Sequence, residues 1–188
     1  MRVIAGIHKG RQLKPVPGHH TRPTTDKVKE AIFQVIGPFF SDGIVLDLFA
    51  GSGGLGIEAL SRGMNQAIFV DKQQKAIHTI RENLKQLKLD DKAEVFRTDA
   101  FRAIKAAAKR ELRFNLVLLD PPYGKVDYLE LLNELVENRL LADNAIVYCE
   151  HEASEDLPHE YGPFQAIKQE NYGGLINITI YQVNHEGA

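Results

Sequence analysis

From residue 44 onward the sequence alternates short apolar runs with amphipathic segments of helical period, and a chain patterned in this way has few routes to a buried core. Ile44 to Phe49, Ala67 to Val70, Ala93 to Phe96, Asn115 to Leu119 and Ala145 to Cys149 have the length of strands. Between them lie helical segments at about 54 to 62, around Ala76, Ile77, Ile80, Leu84 and Leu87, near 101 to 109, and from Tyr128 to Val136. Strands that alternate with helices predict a parallel sheet covered on both faces. The unbroken apolar run at Asn115 to Leu119 predicts a central strand within it. At the end the pattern changes, because Phe164 to Lys168 and Leu175 to Tyr181 flank Tyr172-Gly173-Gly174, the signature of an antiparallel hairpin. The predicted class is α/β, a mostly parallel seven-stranded sheet with an antiparallel carboxy-terminal hairpin.

Ahead of this pattern, Val3-Ile4-Ala5-Gly6 and Gln12-Leu13-Lys14 read as a small β-hairpin. Val28, Ala31, Ile32, Val35 and Ile36 then share one helical face, with Thr24 or Thr25 as cap and Gly37-Pro38 as stop. With 188 residues the chain has room for one ordinary domain, in which 1–20 form an extension and 21–183 the core. No apolar run approaches the ~20 residues that cross a bilayer, and no signal-peptide pattern opens the chain, so a cytoplasmic monomer is expected. Cys149 is the single cysteine and reads as a small buried hydrophobe.

The net charge of −2 excludes no partner, but its distribution is uneven. Residues 1–30 hold Arg2, Lys9, Arg11, Lys14, Arg22, Lys27 and Lys29 against Asp26 and Glu30, a local excess of +5 on a body that carries −7. A basic arm on an acidic body predicts a polyanion approaching one side. Arg2, Lys9, Arg11, Arg22, Thr24 and Lys27 are the candidate contacts, the alternative being a merely solvated hairpin.

Two motifs carry chemistry. Gly51-Ser52-Gly53-Gly54-Leu55-Gly56 satisfies G-x-G-x-x-G directly between a strand and a helix, where bare backbone lets a ligand lie close. Asp71, 20 residues on, stands where a carboxylate accepts from ribose hydroxyls, a contact that NAD and S-adenosylmethionine both need; it also suits a helix cap. Asp47 lies inside the apolar strand Val45-Leu46-Asp47-Leu48-Phe49, where burial demands a cation or several donors. Asp99 is placed either to accept from an adenine amine or to cap the next helix.

The second motif is Leu119-Asp120-Pro121-Pro122-Tyr123, at the end of the central strand. Each proline drives the preceding residue out of the helical region and brings no N–H, so the chain leaves the sheet extended with acceptors but few donors. Such a loop suits an exocyclic base amine, whose delocalised lone pair must localise before it can attack an electrophilic methyl. The Asp120 carboxylate and the Pro121 carbonyl each accept one N–H in this reading, while Tyr123 stacks on the base.

These residues together describe the Rossmann-like S-adenosylmethionine methyltransferase fold, and the chain resembles the bacterial 16S ribosomal RNA guanine-N2 methyltransferases. The resemblance runs over nearly the whole chain. It rests on Arg2-Val3-Ile4-Ala5-Gly6, Arg22-Pro23-Thr24-Thr25-Asp26-Lys27-Val28-Lys29-Glu30, Asp47-Leu48-Phe49-Ala50-Gly51-Ser52-Gly53 and Asp120-Pro121-Pro122-Tyr123. It implies that Asp47, Phe49, Ala50, Gly51, Ser52, Gly53, Asp71, Lys72, Asp99 and Ala100 line an S-adenosylmethionine pocket. It also implies that Asp120, Pro121, Pro122 and Tyr123 receive a guanine, and that the basic arm grips 16S rRNA in an assembled small ribosomal subunit. No metal is expected. His151 to Pro163 matches nothing in the resemblance; its His151, Glu152 and His159 lack metal spacing and read as a solvated loop. An adenine-N6 or cytosine-N4 methyltransferase, an NAD-dependent oxidoreductase and a non-catalytic RNA-binding protein remain as alternatives.

Overall fold

The computed structural model describes residues 1–18 and 24–185. Five helices, α1 (Asp26–Ile36), α2 (Gly54–Ser61), α3 (Gln74–Gln86), α4 (Ala100–Lys109) and α5 (Tyr128–Glu137), cover one continuous sheet. Its strands are β1 (Ile44–Asp47), β2 (Gln66–Asp71), β3 (Ala93–Arg97), β4 (Phe114–Leu119), β5 (Leu141–Glu152), β6 (Glu160–Tyr161), β7 (Phe164–Tyr172) and β8 (Ile176–Val183), in the spatial order β3-β2-β1-β4-β5-β8-β7-β6. The first five run parallel and the last three antiparallel. Strand order reverses between β1 and β4, the place where open α/β sheets hold ligands.

Alternate residues of the parallel strands feed two cores. Leu46, Ile68, Val70, Val117 and Leu119 pack with Ile104 of α4 and Leu131, Leu132 and Leu135 of α5. Val45, Phe69, Leu116 and Leu118 face the other way, against Ile32 and Phe33 of α1, Ile57 and Leu60 of α2, and Ile77, Ile80 and Leu84 of α3. Both faces being buried explains the continuous apolar runs in these strands.

The structure revises the sequence reading in four places. Expected to have seven strands, the sheet has eight, because Glu160 and Tyr161 pair with Gln165 and Phe164. The segment 151–163 is therefore only partly a loop. His151 is 2% exposed inside β5, with Nε2 3.0 Å from Thr179 Oγ1 and Nδ1 2.7 Å from the Glu155 carbonyl, which can only accept. β5 runs past Cys149 despite its polar residues because β8 supplies a ladder as far as Glu152↔Ile176. Finally, the buried stripe of α1 is Lys29, Ile32, Phe33 and Ile36, with Val28, Ala31 and Val35 only half-buried.

Lys29 explains that rotation. Its ammonium donates to the Arg2 carbonyl at 3.0 Å and stands 3.8 Å from the Glu58 carboxylate, and burial lowers its pKa. Glu58, wholly buried, also accepts from the backbone N–H groups of Ile4 and Ala5 and from Arg62 Nε at 2.9 Å. The Arg62 guanidinium lies over the Phe33 ring. One buried carboxylate thus ties the amino-terminal arm, α1 and α2 together. Because Ile4 and Ala5 spend their donors on Glu58, the expected hairpin narrows to a single antiparallel bridge between Arg2 and Gln12. Gly6 is obligatory in that arm: its φ is +90°, and a Cβ there would stand 1.9 Å from the Ser61 carbonyl oxygen.

Candidate active site

Each of the five parallel strands delivers an acid to the same edge of the sheet. Asp47 closes β1, Asp71 closes β2, Asp99 follows β3 by two residues, Asp120 follows β4 directly, and Glu150 lies near the end of β5. The parallel register, Asp47↔Leu118 and Leu119↔Cys149, sets Asp47, Asp120 and Glu150 side by side across the switch point.

The glycine loop sits over the first of these. Gly53 caps α2 at a φ of +85°, and Gly51 has a φ of +58° with nothing within 4 Å of where a Cβ would project. Gly56 packs so tightly that a Cβ would come within 2.4 Å of the Phe69 ring and 3.1 Å of Asp47 Oδ2. That closeness lets the Gly56 N–H donate to Asp47 at 3.2 Å. Asp47 has this one backbone donor and lies 2% exposed; burial, with a smaller contribution from Asp71, pushes its pKa up to about 7. Asp71 organises the same loop, Oδ2 accepting from Gly51 N–H at 3.0 Å and Oδ1 from Gln73 N–H at 2.9 Å.

Beyond β4 the chain leaves the sheet as the sequence predicts. Pro121 is buried, Pro122 exposed, and Tyr123 is 42% exposed at the tip of the turn. The Pro122 carbonyl accepts from Lys125 N–H and so is not a free acceptor. Among the described residues the Pro121 carbonyl accepts no hydrogen bond. Asp120 is held well above the usual carboxylate range by burial, then by Glu150 and Asp47; Tyr123 is pushed up to about 12 by burial, then by Glu150, Asp120 and Glu152.

The structure brings together Asp47, Gly51, Gly53, Asp71, Asp120 and Tyr123. Phe49 and Ala50 form the start of the glycine loop, with Ala50 N–H donating to the Val70 carbonyl. Ser52 gives its carbonyl to Asn83 Nδ2 at 3.0 Å. Asp99 accepts from Arg102 N–H as the cap of α4, whose first residue is the buried Ala100. Lys72 is exposed, and its carbonyl accepts from Arg97 Nε. Two residues escape the sequence reading. Glu150 is 7% exposed, and Tyr148, wholly buried, donates to Glu150 Oε1 at 3.1 Å. The recurring acid at each strand end is the signal that could have found Glu150.

Of the basic candidates, Arg22 lies outside the described residues. Lys9, Arg11 and Lys27 are exposed, Thr24 is half-buried, and Arg2 pairs with Asp26 at 2.7 Å. Lys29 is buried and adds nothing to the basic surface.

A cationic ligand that carries hydroxyl groups fits this donor set. A buried carboxyl with a single N–H partner, two further acids beside it and, among the described residues, no basic side chain acting on Asp120 leave a cation to complete the balance. Open space above Gly51 leaves bare backbone for the ligand to rest on. Asp71 retains lone pairs for hydroxyl donors.

Comparisons with known proteins bear on this geometry. YlbH of Bacillus subtilis (strain 168), whose name proposes an rRNA methyltransferase, is 52% identical over 97% of this chain and 98% of its own. Ribosomal RNA small subunit methyltransferase D of Escherichia coli (strain K12) is 35% identical over 100% of this chain and 92% of its own. The solved structure of yhhF from Escherichia coli, named as a proposed methyltransferase, superposes with a TM-score of 0.83 at 34% identity, covering 98% of each chain. The fold is also that of SMU.776, a proposed methyltransferase solved with SAH, at a TM-score of 0.68 and 16% identity over 87% of this chain and 50% of that one. The architecture is thus the S-adenosylmethionine methyltransferase fold. With residues 1–182 matching the family described as Conserved hypothetical protein 95, the chain belongs to that family, the one that holds the ribosomal RNA small subunit methyltransferase D proteins.

Proposed function

We propose that the protein transfers a methyl group from S-adenosylmethionine to the exocyclic N2 amine of a guanine in 16S ribosomal RNA, with the assembled small subunit as substrate. The observation that carries this reading is the Asp120-Pro121-Pro122-Tyr123 turn, whose carboxyl stands beside Asp47 under the glycine loop. Relatives named as rRNA small subunit methyltransferases, matched end to end, supply the RNA.

When bound, S-adenosylmethionine supplies a methyl group on a sulfonium sulfur that departs as a neutral thioether. Asp47 answers the positive charge of the donor, and Asp71 its ribose. Asp120 and the Pro121 carbonyl each accept one N–H of the target amine, orient its lone pair toward the methyl carbon, and stabilise positive charge as it grows on nitrogen. Tyr123, exposed at the turn, stacks on the base once it has been drawn out of its own stack. Lys9, Arg11, Arg22 and Lys27 meet phosphates of the surrounding RNA.

The test is mass spectrometry of small-subunit rRNA nucleosides from cells with and without the gene. Loss of one N2-methylguanosine is expected, restored by the purified protein acting on subunits from the deleted strain. Loss of N6-methyladenosine or N4-methylcytidine instead would move the assignment to another base amine.

A further inference from the structure

Glu150 has no part in the reading above, although it stands next to an acid that does. The β4–β5 register ends at Leu119↔Cys149, so Asp120 and Glu150 follow on neighbouring chains about 4.8 Å apart. Side chains alternate from face to face along such strands. Leu118 and Tyr148 belong to the core beneath α1, α2 and α3, and Asp120 and Glu150, two residues further on, share that face. Asp47 joins them there, two residues beyond Val45 of the same core.

Glu150 is held firmly and left half used. It is 7% exposed, and Tyr148, wholly buried on the same strand, donates to Oε1 at 3.1 Å. Tyr128 of α5 donates to the Glu150 and Leu119 carbonyls, fixing β5 to β4 where the two acids emerge. The other carboxyl oxygen, Oε2, takes no hydrogen bond from any described residue. Nor is it sealed in, because among the described residues Arg62 Nη2 is the one enclosed side-chain polar atom left without a partner. His151, the next residue, turns its ring to Thr179 and the Glu155 carbonyl instead. On β8 the opposite residue is the apolar Ile178. A buried carboxyl thus keeps one oxygen fixed and presents the other, unpaired, at the edge that carries Asp120. Such an acceptor is costly until a donor reaches it.

We propose that Glu150 selects guanine, its Oε2 accepting the N1–H of the target base while Asp120 and the Pro121 carbonyl hold the N2 amine. This rests on the methyltransferase reading. A base drawn out of its stack is read along its Watson–Crick edge. Guanine sets N1–H directly beside the N–H bonds of its N2 amine, so this stretch of its edge offers donors only. Adenine and cytosine set a ring-nitrogen lone pair beside theirs. A row of acceptors made by Asp120, the Pro121 carbonyl and Glu150 therefore complements guanine throughout. Against either other base, Glu150 Oε2 would face a lone pair and stay unpaired, and a buried polar group without its partner is what gives a site strong discrimination.

The test compares small subunits reconstituted with 16S rRNA carrying either guanine or adenine at the methylated position, which the mass spectrometry above locates. The wild type is expected to favour guanine by about a hundredfold or more in kcat/KM. Glu150→Gln keeps the shape but offers an N–H as well as an oxygen. It should lower kcat/KM on guanine by about tenfold to a hundredfold and raise it on adenine, whose N1 can now accept, with donor affinity by calorimetry unchanged. Tyr148→Phe, which keeps the ring and releases Oε1, is the second variant and guards against a misfolded first one. It should lower the guanine preference several-fold, about the loss expected from one orienting hydrogen bond. A structural role alone would lower both substrates together, so a guanine-to-adenine ratio equal in wild type and both variants overturns the proposal, as does a wild type that takes both bases alike. Wild-type protein that methylates neither subunit sinks the functional reading and this proposal with it, whereas an active wild type with an unmoved ratio sinks the role of Glu150 alone.

Discussion

Replacing Asp47 with Asn should make the ligand-free protein more stable, and by an amount that depends on pH in a defined direction. Asp47 is fully buried with one backbone donor, and its pKa rises from an ordinary 3.8 to about 7. A raised acid means that the folded state keeps a proton which the unfolded chain has already lost. Stability therefore falls as pH climbs from about 4 to about 7, by ~1.4 kcal/mol per pH unit, or ~4 kcal/mol in all at pH 8. Asn is the shape of the protonated acid, keeps an oxygen for the Gly56 N–H, and has nothing to ionise. D47N should match the wild type near pH 4 and exceed it by ~4 kcal/mol at pH 8. Urea denaturation followed by circular dichroism at pH 4, 6, 7 and 8 measures the difference directly. Stability curves that stay parallel across this range, or a variant weaker than wild type at pH 8, would refute the account of Asp47 as an unpaired buried acid. The same variant should bind S-adenosylmethionine poorly, because the charge that destabilises the empty protein is the one proposed above to meet the donor.

Asp120→Ala should cost methyl transfer ~2.7–4 kcal/mol, about a hundredfold to a thousandfold in kcat, with donor affinity by calorimetry little altered. Gly56→Ala should destabilise by ~1–3 kcal/mol, since its Cβ would press on Phe69 and Asp47; an unchanged thermal midpoint would contradict the packing. Glu58→Gln should cost ~3–5 kcal/mol in chemical denaturation, because Lys29 and Arg62 would be left buried without their shared anion. Reversing Lys9 and Arg11 to Glu should weaken binding to small-subunit RNA and flatten its log–log salt dependence by ~0.7 for each phosphate no longer neutralised, as read by filter binding. A slope unaffected by both reversals would mean that the arm faces away from RNA.

Periodicity finds every helix of the covering layers and all but one strand, because two-sided burial writes itself as apolar runs and amphipathic faces. β6 escapes because a two-residue strand has no period, and β5 reads short because Glu150, His151 and Glu152 look like a loop until β8 is known to pair with them. The glycine loop, Asp47, Asp71 and the proline turn are legible as local motifs. Glu150 and Tyr148 are not, since their importance arises from the neighbouring strand and not from adjacent sequence. Lys29 misleads for a similar reason: a lysine counts as surface charge unless a distant acid, here Glu58, draws it inward.

Asn83 of α3 accepts from Lys14 N–H, donates to the Lys14 carbonyl, and donates again to the carbonyl of Ser52. One amide side chain thereby braces the stem of the basic arm against the glycine loop, and Met1 packs beside Ser52 from the other end of that arm. On the function proposed above, RNA held by the arm and a donor held by the loop would share this one brace, and an arm grafted onto another scaffold would lose that linkage unless the asparagine travelled with it.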